Sequence, residues 1–197
     1  MSYLVFDTET NGLPITKGFR KFHEPHLTKY YDTARVIQVS WAVFDRKDQC
    51  IAEHDLYIQP DGFSVPNADF HGITEEILRE KGVPIKKALA MFLRDVKRVD
   101  VIVAHNLQFD YHVLMSECLR AELSRGAQIL REAIQFCTMT RSVKLLKIPN
   151  RYHAGYKYPS LKELNQFYFQ EDVEGAHNAK FDVDACARCF QAMQAGC

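Results

Sequence analysis

The 197-residue sequence is short of several things, and each shortage narrows what the chain does. It has no excess of charge, since 25 Lys and Arg balance 25 Asp and Glu. Broad coating of duplex nucleic acid needs many unbalanced cations on phosphates, so that class is excluded; a local basic groove or a small acidic substrate is not. No apolar run approaches the ~18 residues of a membrane span. The first residues lack a basic region followed by an apolar core, so neither a membrane partner nor a signal peptide is expected. The six cysteines show no framework spacing, and a domain of this size needs no staples, which predicts a reducing, cytoplasmic setting. Cys186-x-x-Cys189 is a single pair at helical spacing, better read as two buried thiols than as half a zinc site. A Gly-rich phosphate loop, a Gly-x-Ser-x-Gly elbow, internal repeats and low-complexity linkers are all missing.

What is present is a globular chain, 47% hydrophobic and 25% charged, long enough for one domain over 1–197 with a real core. Residues 2 to 7 read as a buried strand that runs into Asp7, Thr8 and Glu9. Strand side chains repeat every second position, so Asp7 and Glu9 share a face. Two like charges on one face repel, and burial worsens the conflict; a bound divalent cation removes it. The alternative is a strand end with two solvated acids before the Asn11-Gly12 turn.

Downstream, Val36 to Phe44 and Cys50 to Ile58 predict an antiparallel hairpin around the polar turn 45–49. Pro60 to Gly72 reads as loop. Thr74 opens a helix that ends near Gly82, and Pro84 starts another with Ile85, Leu89, Phe92, Leu93 and Val96 at helical spacing. A strand over 101–104 precedes a helix over 108–122, and a further helix lies within 124–132. A fifth strand over 134–137 leads to helices over 138–147, from Ser160 with its Glu163 capping box, and over 179–194. Residues 14 to 34 are too irregular for a helix. Their Lys, Arg and aromatic residues suit a single strand through phosphate contacts and base stacking, or form a solvated variable loop. The order predicts an α/β fold, a mixed sheet of about five strands flanked by helices, with Asp7 and Glu9 at a carboxyl strand end where such sheets place their sites.

Two further stretches sit at such junctions. His105-Asn106-Leu107-Gln108-Phe109-Asp110 follows a strand, and Asp110 falls in the first turn of a helix. His177-Asn178-Ala179-Lys180-Phe181-Asp182 leads into the last helix, where an imidazole near a metal-bound acid could accept a proton from water.

Taken together, the three stretches make the sequence resemble the DEDDh group of 3′→5′ exonucleases, the DnaQ-like branch of the ribonuclease H-like superfamily. Phe6-Asp7-Thr8-Glu9-Thr10 with Asn11-Gly12-Leu13 is similar to the first motif, His105-Asn106 with Phe109-Asp110 to the second, and His177 with Asp182 to the third. The sister group carries Tyr where this chain has Asn178, which favours the His version. The resemblance implies that Asp7, Glu9, Asp110 and Asp182 bind two divalent ions, Mg²⁺ or Mn²⁺. Asp7 would bridge both, Glu9 and Asp182 would hold the ion carrying the attacking water, and Asp110 would serve the other. His177 would be the general base. Thr8, Leu13, His71, Asn106 and Phe109 would line the place of the terminal nucleotide. The implied activity is removal of nucleoside 5′-monophosphates from a single-stranded 3′ end, DNA before RNA, with a polymerase as a candidate partner. An RNA end-trimming or oligoribonuclease-like enzyme and a non-catalytic nucleic-acid-binding module are the competing readings.

Overall fold

The computed structural model describes residues 1–66, 68–171 and 179–196. Its centre is β1 (Tyr3–Thr10), whose Tyr3, Leu4, Val5 and Phe6 are all buried. Four other strands, β2 (Val36–Phe44), β3 (Cys50–Tyr57), β4 (Val101–Ala104) and β5 (Gln135–Cys137), complete one sheet in the order β3-β2-β1-β4-β5. β1 runs antiparallel to β2, and β2 to β3, whereas β4 lies parallel to both β1 and β5. The β2–β3 turn is closed by Asp45, whose Oδ1 accepts the backbone N–H groups of Lys47 and Gln49. Because β1, β4 and β5 are parallel, their carboxyl ends open onto one edge of the sheet.

Helices cover both faces: α1 (Ala68–His71), α2 (Glu75–Lys81), α3 (Ile85–Val96), α4 (Leu107–Arg120), α5 (Ser124–Glu132), α6 (Thr138–Leu146), α7 (Leu161–Phe169) and α8 (Ala179–Ala195). Their starts are chemically specified. Thr74 Oγ1 accepts the Ile77 N–H ahead of α2, and Ser160 and Glu163 form a reciprocal capping box at α7. Gly82 ends α2 at a close crossing, because a Cβ there would stand 2.2 Å from the Leu78 carbonyl and 2.8 Å from the Gln59 nitrogen.

The alternation of β1 divides the core. Leu4 and Phe6 join Trp41, Ile102, Phe92 and Leu114 on the face covered by α3, α4 and α5. Tyr3 and Val5 join Val103, Val183, Cys186 and Phe190 beneath α8. Each large apolar side chain so enclosed contributes about 1.5–3 kcal/mol. Cys186 and Cys189 are both buried.

The structure departs from the sequence-based expectation in three places. The first strand does not stop at residue 7. It pairs with β2 through Thr10, with a register shift after Glu9, so both acids lie within it. The stretch read as loop, Pro60 to Gly72, contains α1. Residues 14–34 are irregular but not loosely solvated: an isolated Thr16–Phe22 bridge, a 3-10 turn at Thr28–Tyr31 and the buried Tyr31 tie them down. Among the described residues, no helix is long and apolar enough to cross a membrane.

Candidate active site

Period-two alternation sends Val5, Asp7 and Glu9 to the α8 side of the sheet and Thr8 to the other. Asp182, in the first turn of α8, meets the two acids there. One carboxylate oxygen from each of Asp7, Glu9 and Asp182 can be chosen so that all three lie within 4.8 Å of one another. They occupy the wall of a cleft of about 660 Å³ at the carboxyl edge of the sheet.

Asp110 reaches this cleft from the opposite layer. It stands in the first turn of α4, only 2% exposed, and its Oδ1 accepts both the Thr8 N–H at 3.1 Å and the Thr8 hydroxyl at 2.8 Å. The residue between the two strand acids therefore holds the third, through a backbone and a side-chain donor at once. The structure thus brings together Asp7, Glu9, Asp110 and Asp182. His177 lies outside the described residues.

Crowding these acids raises their proton affinity. Burial, then the charges of Asp110, Asp182 and Glu9, push Asp7 well above the usual carboxylate range. Burial and Asp182 push Glu9 up to about 7. Burial raises Asp110 to about 7, against the opposing pull of the Thr8 hydrogen bonds. Such a set of hard oxygens, unstable as bare anions, is what a divalent cation relieves, and the donor chemistry fits that group. Asp7, Glu9 and Asp182 would hold it most directly, with Asp110 at the same cleft.

The remaining described residues of the cleft are neutral. His105 continues β4. Its Nε2 lies 3.0 Å from the Pro159 carbonyl, which can only accept, so the ring proton sits there and Nδ1 accepts from the Thr138 hydroxyl at 3.0 Å. Burial pulls its pKa down to about 4, so this imidazole stays uncharged and rivets β4 to α6 and to the loop before α7. Asn106 follows in the left-handed conformation, φ 66°, which turns the chain into α4. His71 is 7% exposed; its Nδ1 accepts the Ile73 N–H at 3.1 Å, and burial lowers its pKa. The proton is thereby placed on Nε2, which finds no hydrogen-bond partner among the described residues. Leu13, 76% exposed, and Phe109 complete the apolar lining.

Thr8, Leu13, His71, Asn106 and Phe109 all line this cleft, although the Thr8 hydroxyl is spent on Asp110. Sequence reasoning missed Arg20. Its Nη1 donates to Asn106 Oδ1, and its guanidinium carbon sits 4.7 Å from the centre of the Tyr158 ring. The only advance signal was a basic and aromatic loop, with nothing to select this residue.

Comparison with known proteins bears on the fold and on the family. No curated protein matches the chain by sequence. Among solved structures, exonuclease I of E. coli in complex with a dT13 oligonucleotide superposes with a TM-score of 0.69 at 19% identity, covering 98% of this chain and 41% of that one. Its complex with a dA16 oligonucleotide gives 0.70 at 18%, over 98% and 41%. Exonuclease I from Methylocaldum szegediense gives 0.65 at 16%, over 98% and 41%. The chain therefore spans about two fifths of the length of these neighbours, and at such identity they show the fold, a ribonuclease H-like one. The RNase_T family, described as exonuclease, matches residues 4–190. With nearly its whole length inside that match and its acids gathered at the sheet edge, the chain belongs to the RNase_T exonuclease family, as a DnaQ-like protein of the DEDDh type.

Proposed function

We propose that this chain is a metal-dependent 3′→5′ exonuclease that hydrolyses the terminal phosphodiester of a single strand, DNA in the first place, and releases nucleoside 5′-monophosphates. The observation that carries the reading is the convergence of Asp7, Glu9 and Asp182 within 4.8 Å, in the cleft that Asp110 enters from the other layer. Four carboxylates suit two divalent ions, Mg²⁺ or Mn²⁺, because the summed charges of acids, ions and phosphodiester nearly cancel. When bound, such a pair supplies Lewis-acid activation and clamps the attacking and leaving oxygens of an in-line displacement.

The chain's own residues do the rest. His177 takes the proton of the attacking water as its oxygen bonds to phosphorus, and the bond to the 3′-oxygen breaks. Thr8 acts through Asp110 and is a positioning residue. His71 forms part of the wall against which the terminal nucleotide rests. Leu13 presents an exposed apolar side chain to its base, and Asn106 and Phe109 flank its sugar. The preference for DNA is supported by fold neighbours that hold dT13 and dA16.

The test is a gel of end-labelled DNA and RNA single strands incubated with Mg²⁺, with Mn²⁺ or with chelator. Stepwise shortening of 5′-labelled DNA from its 3′ end, dependent on metal, is the expected result. Intact DNA in every lane would end the proposal, and faster loss of the RNA would transfer it to an exoribonuclease.

A further inference from the structure

A second concavity, of about 730 Å³, lies beside the active-site cleft. Its walls come from Phe19 in the loop after β1, from residues between 148 and 158 ahead of α7, and from Glu163 in α7. Aromatic faces dominate it, and they are open to solvent. Phe19 is 83% and Tyr152 94% exposed, and Tyr156 and Tyr158 are exposed as well. Leaving large rings in water forgoes the burial that places such residues in cores, so a contiguous set of them marks a contact surface.

Its charge is uneven. Among the described residues, Arg151 and Lys157 line it against a single acid, Glu163, and that acid is taken up by Lys157 at 2.5 Å and by the Ser160 N–H. At the border with the cleft stands Arg20. Among the described residues its partners are the Tyr158 ring, the Asn106 amide oxygen and Met139 Sδ, all uncharged. A guanidinium held by neutral groups between two concavities retains its full charge for an anion. Arg20 also keeps a left-handed backbone, φ 57°, which non-glycine residues adopt at some cost. Side-chain contacts link the walls of the two concavities. Arg20 joins Tyr158 to Asn106, and His105 in the cleft wall is bonded to Pro159, the neighbour of Tyr158.

We propose that the groove lined by Phe19, Tyr152, Tyr156 and Tyr158, opening from the cleft past Arg20, binds the nucleotides 5′ of the reacting end of the same single strand. The rings stack on successive bases, and Arg20 and Arg151 take the phosphates between them. Stacking on ring faces and cationic contact with the backbone are the two interactions that hold single strands without reading sequence. A duplex would present paired bases whose faces are already stacked. The proposal rests on the reading of the cleft as an exonuclease site, because that reading supplies the strand.

The experiment measures fluorescence anisotropy of 5′-labelled dT13 and of a labelled thymidine trinucleotide in chelator, so that nothing is cut. Wild-type protein is compared with Phe19→Ala/Tyr152→Ala, two exposed positions whose truncation leaves the core untouched; circular dichroism and melting verify the fold. The double variant should bind dT13 about tenfold more weakly, or worse, while trinucleotide binding stays within about twofold. Unchanged dT13 affinity overturns the proposal. An equal loss on both ligands also overturns it, because the rings would then serve the reacting end. The function is judged separately, by metal-dependent degradation. Protein that binds dT13 through these rings but never shortens it keeps the groove and loses the exonuclease assignment; active protein indifferent to the rings does the reverse.

Discussion

Replacing Glu9 by Gln should stabilise the metal-free protein. Glu9 sits in a wall shared with Asp7 and Asp182, and burial together with the Asp182 charge raises its pKa from 4.5 to about 7. A carboxyl with a higher pKa in the folded state binds more protons there than in the unfolded chain, so stability falls as pH rises between the two values. The penalty is absent below about pH 4.5 and complete above about pH 7. A shift of this size corresponds to roughly 3 kcal/mol at most, and partial solvent access to the cleft reduces it to about 2 kcal/mol. For a chain of this length, that raises the melting temperature by about 4–8 °C. The assay is thermal melting of wild type and Glu9→Gln in chelator at pH 5 and pH 8. The curves should coincide at pH 5 and separate at pH 8, with the variant the more stable. Adding Mg²⁺ or Mn²⁺ at pH 8 should stabilise the wild type and reverse the order. A variant no more stable than wild type at pH 8 without metal would refute the argument that these acids are held in mutual conflict.

Three other outcomes follow from the same geometry. Asp182→Asn keeps the shape of α8's first turn but removes one of the three clustered charges, so degradation of single strands should fall at least ~10²-fold, since even outer partners of metal ligands cost 10–100-fold. An unchanged rate in a gel time course would contradict its place in the site. Thr8→Val removes the 2.8 Å hydroxyl bond to Asp110 but leaves the backbone donor. Asp110 should then hold its proton more tightly, with kcat lower by about tenfold near neutral pH and partly restored at alkaline pH; a pH–rate profile identical to wild type would count against the positioning role. Glu117→Ala strands Arg35, whose Nε lies 2.6 Å from Glu117 Oε1 in a nearly buried pair. It should lower stability by about 3 kcal/mol in denaturant melts, and a loss below about 1 kcal/mol would mean that the pair behaves as a surface one.

Much of this was readable in advance where the cause is local. Strands 36–44 and 101–104 and helix 124–132 stand where the pattern puts them, because alternation, short apolar runs and turn chemistry act over a few residues. The Thr74 cap and the Ser160–Glu163 box are likewise local. Asp7 and Glu9 were legible as a pair for the same reason. Their meeting with Asp110 and Asp182 depends on parallel pairing across about a hundred residues, and the family resemblance, not periodicity, anticipated it. Helix α1 escaped notice because four residues carry no period. The extension of β1 through Thr10 was hidden by polar side chains, which a strand tolerates where its end borders a cleft. Arg20 was illegible because its partners, Asn106, Met139 and Tyr158, lie from 86 to 138 positions downstream.

The division of labour along β1 makes that strand intolerant of slippage. Odd positions supply the acids and the filling beneath α8, and even positions supply the filling of the other face and the Thr8 clasp, so an insertion or deletion of one residue before Asp7 would exchange the two sets. Carboxylates would then be driven in among Trp41 and Phe92, and phenylalanine would be turned toward α8. Folding and chemistry thus share one reading frame at the head of the chain, and a length change there costs both together, whereas the β2–β3 turn can change length without touching either.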